Sequence, residues 1–127
     1  MLSDEILDHE ALYRSVPSRP SHWVIGEGCP TSAVFKDKRG VSVDRDGGRE
    51  EQAIIQSFVD RKGAEAGLIA VTARQCRDCD TNPFSKPLDE NPYHAEIHNI
   101  GSKVELSRGK AKALADRSRI VRTPRFE

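Results

Sequence analysis

Two groups of residues in this 127-residue chain have types and spacing that could do chemistry. The first is Cys76-Arg77-Asp78-Cys79, then 14 residues, then His94 with three residues before His98. C-x2-C followed by H-x3-H is zinc-site spacing, and thiolates and imidazoles are the ligands zinc prefers. The second is Arg14, Ser42 and His94: a guanidinium and a hydroxyl to hold a nucleotide or nucleic acid, and an imidazole of the kind that titrates near neutral pH. A looser set, His94 and His98 with Glu96 and Asp44, carries acids and bases of the sort a hydrolase or nuclease uses.

Local context decides how far each group can be taken. Around the histidines the order Tyr93-His94-Ala95-Glu96-Ile97-His98 alternates polar with apolar and follows Pro92. That is a strand pattern, with His94, Glu96 and His98 on one face. Strand residues four apart lie roughly 13 Å from each other at 3.3 Å per residue, too far for both imidazoles to reach one zinc at about 2.0–2.1 Å. A zinc site therefore reduces to Cys76, Cys79 and one of His94 or His98, completed by water or Cys29. The plainer reading, which outweighs it, leaves the cysteines as free thiols and the histidines on a polar face. A redox role for the C-x-x-C wants a helix N-terminus, and the loop-like composition of 76–92 offers none.

The elements that must position these groups follow from periodicity. Ser3-Asp4-Glu5 reads as a helix start, with a hydroxyl cap and acids against the dipole. Leu12 to Val16 extends that helix or forms a first strand, closed by Pro17. His22-Trp23-Val24-Ile25 is a short apolar patch, and Gly40-Val41-Ser42-Val43-Asp44 alternates as a half-buried strand. From Arg49 to Lys62 the apolar positions Ala53, Ile54, Ile55, Phe58 and Val59 predict a helix that Gly63 stops. The apolar run Leu68–Ala73 predicts a buried strand. Residues 76–92, with Pro83, Pro87 and Pro92, read as loop. Ser107 caps a final helix carrying Ala111, Leu114 and Ala115. The fold class expected is α+β: a small, mainly antiparallel sheet packed by two or three helices, in a single domain 1–127 with a loose basic tail from about 119.

Composition excludes more than it proves. Lysine plus arginine and aspartate plus glutamate each number 20, so no global field draws in nucleic acid or an anionic membrane. The start of the chain carries no basic segment followed by an apolar run, and no stretch has the length of a membrane span. With three cysteines, an odd number, the expected location is the cytoplasm. From Lys103 to Arg125 eight basic residues face two acids, a stripe that could contact nucleic acid, although a charge run more commonly marks a solvated helix face.

Two resemblances bear on the second group. Arg14 with the Val41-Ser42-Val43 strand is similar to the arrangement by which ADP-ribosyltransferases hold a dinucleotide. The chain departs from it in reading Ser42-Val43-Asp44 rather than Ser-Thr-Ser, and Glu50, Glu51 and Glu96 stand in no diagnostic setting for the glutamate. The segments Leu12–Pro17, Thr31–Asp37 into Val41–Asp44, and Asn91–Ile97 resemble a family of small bacterial proteins with S-x-x-F-x, S-V-D and N-P-x-H-A-x-I elements and no known activity. The resemblance spans about residues 12 to 100. It implies a free-standing bacterial domain and draws attention to His94, Ser42, Ser32 and Phe35 rather than to the cysteines.

Three functional classes follow. The first, slightly favoured on the sequence, is an interaction or accessory module with a protein partner, displaying an apolar patch near Trp23 or Pro83-Phe84 and no deep polar pocket. The second is a small enzyme acting on a nucleotide or nucleic acid, with Arg14, Ser42 and His94 converging on one cleft. The third is a zinc protein centred on Cys76 and Cys79.

Overall fold

A computed structural model describes residues 2–126; Met1 and Glu127, the ends of the expected domain, lie outside them. Eight strands are β1 (Ala11–Val16), β2 (Trp23–Val24), β3 (Cys29–Pro30), β4 (Val41–Arg45), β5 (Gly67–Thr72), β6 (Thr81–Ser85), β7 (His94–Asn99) and β8 (Arg119–Arg122). Three helices are α1 (Glu51–Lys62), α2 (Ala73–Asp78) and α3 (Arg108–Arg117), with a 3-10 turn at Ser32–Phe35. Six strands form one sheet in the order β6-β7-β4-β1-β5-β8, every pairing antiparallel, and β2 with β3 makes a separate ribbon. The expected α+β architecture is therefore observed.

The two sheet faces are covered unequally. One carries the larger core, in which Leu12, Val16, Val41, Val43, Ile69, Val71, Ala95 and Ile97 meet Phe35, Trp23, Cys76 and Leu114 from the covering segments. Each fully buried side chain of this size contributes roughly 1.5–3 kcal/mol. The other face is packed by α1 alone, with Ile54 and Phe58 against Tyr13, Leu68 and Ala70. That cover lies over β1 and β5. The β4–β7–β6 half of the face presents Ser42, Asp44, His94, Glu96 and His98 instead.

Three local expectations are corrected. No helix begins at Ser3; the carbonyls of Ser3 and Glu5 accept from Arg45, and that of Ile6 from Arg77, so they are claimed by side chains. Residues 76–92 are not all loop. Helix α2 ends before the first proline and starts on a capping box, Thr72 with Gln75. Strand β6 holds Pro83 because it is a sheet edge, where a missing N–H costs no ladder bond. The tail is not loose from 119: β8 pairs with β5, and Arg125 N–H donates to the Glu65 carbonyl.

The basic C-terminal stripe is largely committed within the chain. Arg119 pairs with Glu51, Lys112 with Asp116 and Lys110 with Asp80, while Arg122 donates to the Ala64 carbonyl. Among the described residues no helix is long and apolar enough to cross a membrane.

Candidate functional site

Arg14, Ser42 and His94, which come from three different strands, line one cleft of about 310 Å³. The cleft exists because the sheet splits. Strand β1 pairs with β5 along its whole length but with β4 only at Leu12↔Arg45 and Tyr13↔Asp44. Beyond Tyr13 the two strands part, leaving ladder groups that must find other partners. Arg14 meets that need: its Nη1 donates to the Ser42 carbonyl at 2.9 Å and its Nε to the Val34 carbonyl at 3.0 Å.

Arg14 is a half-buried cation with no carboxylate bonded to it among the described residues. Burial holds its guanidinium below the ordinary arginine range, and the charge of Asp37 opposes that only in part. An arginine withdrawn from water is ordinarily paired. Among the described residues Nη2 has no hydrogen-bond partner, and since no buried side-chain nitrogen there lacks one, it meets solvent. Lys62, at the C-terminal end of α1, lines the same cleft and is exposed.

The cleft also holds acceptors and an imidazole. Asp44 sits across from Tyr13 on one side and His94 on the other. Its Oδ1 accepts from Asn91 Nδ2 at 2.8 Å, and its Oδ2 from the Arg61 guanidinium. His94 Nδ1 lies 2.8 Å from the Lys86 carbonyl oxygen. A carbonyl can only accept, so Nδ1 carries the proton, and in the neutral ring Nε2 keeps its lone pair. Leu88 and Phe58 supply apolar wall, and Glu90 stands exposed at the rim.

Next to the cleft on the same face, Glu96 is buried at 8% exposure between His98 Nε2 at 2.8 Å and Lys86 Nζ at 3.3 Å. Gly40, at φ +105°, makes room for them; a Cβ there would sit 2.5 Å from His98 Nε2. Burial works to raise Glu96, but the hydrogen bonds from His98 and Lys86 outweigh it and hold the carboxyl below its ordinary range. A carboxyl lowered on folding adds stability above its unfolded value and loses it as the pH falls through the folded one. Glu96→Gln should therefore melt below the parent at pH 7, and the gap should close as the pH drops below about 4. A gap that persists unchanged at pH 3 would contradict this.

The cysteines and the imidazoles of the zinc spacing are not gathered together. Among the described residues no group of three or more His, Cys, Asp or Glu side chains is placed to hold a metal ion. Cys76 is fully buried in the larger core, Cys79 packs partly buried at its edge, and His94 and His98 are engaged as above. Burial pushes the Cys76 thiol up to about 12, with the Thr81 hydrogen bond working the other way. Since the thiolate is the reactive form, Cys76 should resist an aromatic disulfide reagent at pH 8 until the chain unfolds. Cys29 and Cys79, both half-buried, should label first. Peptide mapping would show this, and Cys76 labelled at the rate of Cys29 would contradict it.

Trp23 is buried at 4%, with Val24 and Ile25 beside it exposed at 37% and 60%, while Pro83 is buried and Phe84 is half-buried with its ring edge-on to His98. The sequence named Arg14, Ser42, His94 and Asp44 but missed Arg61, Lys62 and Asn91. Asn91 had a signal in Asn91-Pro92, a turn pair beside a strand; the two basic residues at the end of a helix had none. No protein-family model matches this chain, and no curated protein or solved structure matches it.

Proposed function

We propose that this protein binds a small anionic ligand of the nucleotide class in the Arg14–Ser42–His94 cleft and hydrolyses it by acid–base chemistry at His94. The observation carrying this reading is Arg14: a half-buried guanidinium with no carboxylate bonded to it among the described residues, on a residue that lines the same cleft as His94, whose Nε2 is free. A phosphate group would supply the missing counter-charge. The cleft volume is at the lower end of ligand sites, suited to a mononucleotide rather than a polymer. The neutral net charge and the internally paired C-terminal stripe also favour a small ligand over a nucleic-acid strand.

In this reading Arg14 and Lys62 bind the phosphate and Ser42 Oγ, which is exposed, donates to it. Nε2 of His94 takes a proton from water as the water oxygen bonds to phosphorus. The P–O bond to the leaving group breaks, and the same proton passes from Nε2 to the departing oxygen. Arg14 offsets the negative charge that grows on the phosphoryl oxygens.

Inorganic phosphate released from a panel of 5′-nucleotides tests the reading. His94→Ala should lower release by about 100-fold or more, the usual scale for removing a general base. Release that is indifferent to His94→Ala would contradict the catalytic part. Binding without release by the parent would leave a ligand-binding accessory module.

A further inference from the structure

We propose that Asp44 is the hydroxyl-reading group of the cleft, accepting the 2′- and 3′-hydroxyls of a ribose, so that the ligand is a ribonucleotide rather than its 2′-deoxy counterpart. This rests on the nucleotide reading above. An ionised carboxylate offers about four lone-pair positions, and Asp44 has one donor on each oxygen. Both oxygens therefore keep room for a further donor.

The two donors come from opposite walls of the cleft: Arg61 from the end of α1, and Asn91 from the segment leading into β7. Asn91 is itself oriented, since its Oδ1 accepts from the Tyr93 N–H at 3.1 Å. That bond directs Nδ2 toward Asp44. The carboxylate is thus clamped from both sides, with a side chain 17% exposed, unlike the mobile acid of an open surface. A preorganised acceptor loses little on binding, which is what a specificity group requires.

The remaining cleft groups sort by chemistry. Arg14, Lys62 and Ser42 can donate and suit the phosphate. Carboxylate acceptors for the ligand's own O–H groups reduce to Asp44 and Glu90, and Glu90 is exposed with no side-chain partner among the described residues. A vicinal diol presents two donors spaced for the two oxygens of one carboxylate. Ser42 and Asp44 are successive residues on one face of β4, roughly 6.6 Å apart. That spacing allows a 5′-phosphate at one and sugar hydroxyls at the other.

Isothermal titration with adenosine and uridine 5′-monophosphates, against their 2′-deoxy forms, tests the assignment. The parent should prefer each ribonucleotide by about tenfold or more, because the deoxy form leaves a desolvated acceptor unmatched. Asp44→Asn should cut that preference below about threefold while the deoxy affinity holds. Its melting temperature should stay near the parent's, since the exposed Arg61 partner contributes little. Arg61→Ala, which frees the carboxylate without removing it, should give an intermediate preference. Equal affinity for both sugars in the parent, or a preference that survives Asp44→Asn, would overturn the assignment and leave the nucleotide reading standing. Failure of every nucleotide to bind would overturn both.

Discussion

Arg14→Met should weaken nucleotide binding about 30- to 150-fold, the loss of a charge-assisted contact worth about 2–3 kcal/mol. The same change should cost the fold much less than breaking the Glu10–Arg45 pair discussed below. Two hydrogen bonds to the Val34 and Ser42 carbonyls are lost, but so is the expense of holding an unpaired guanidinium away from water. Methionine keeps the length and apolar body of the stem. Arg14→Lys gives a second measure if Met proves too disruptive. It keeps the charge but cannot bridge two carbonyls and a ligand at once, so binding should fall about tenfold with the melt near the parent's. Binding retained within threefold in Arg14→Met would mean that the anion sits elsewhere.

Glu10→Ala should lower stability by about 3–5 kcal/mol, the largest effect on folding expected from any single polar side chain in this protein. Arg45 is 2% exposed and meets Glu10 through two parallel bonds of 2.9 Å. It also donates to the carbonyls of Ser3 and Glu5, fastening the N-terminal segment to the end of β4. Removing Glu10 leaves a buried, uncompensated cation, whereas removing both charges does not. A double change, Glu10→Leu with Arg45→Met, should therefore recover much of the loss. At roughly 4 °C per kcal/mol for a chain of this size, the single change should lower the melting temperature by about 12–20 °C. A fall of under 4 °C would show that the pair is not the clamp described.

How much of this was legible in the sequence depends on the range of each interaction. The alternation at 94–98 placed His94, Glu96 and His98 on one face because Ala95 and Ile97 had to enter the core, and they do. The apolar spacing of α1 and its stop at Gly63 were equally local signals. Arg14, Ser42 and His94 could be named by residue type. Their convergence could not, because it depends on where β1 stops pairing with β4, a register set by packing 28 residues away in sequence. The Arg45–Glu10 pair and the hold of Arg61 and Asn91 on Asp44 are long-range in the same way. Helix α2 was hidden by the prolines that follow it, although Thr72 and Gln75 already spelled its cap. The cysteine–histidine spacing shows the same limit: a pattern of intervals says nothing of burial, and Cys76 is buried in the core.

If Arg14 seats an anion in a ligand cleft, its own side chain can report the binding directly. Its Nε–H donates to the Val34 carbonyl, which should slow exchange and give a resolvable resonance in an amide-type nitrogen–proton correlation spectrum. Titration with adenosine 5′-monophosphate, followed on that resonance and on the backbone amides of residues 14, 42, 44, 62, 91 and 94, is the most direct measurement. The prediction is a common saturating shift at all of these positions, absent in Arg14→Met. Shifts that saturate elsewhere, for instance at the separate groove between β3 and α3 lined by Thr31, Arg108 and Lys112, would contradict the account, as would no shift at millimolar ligand.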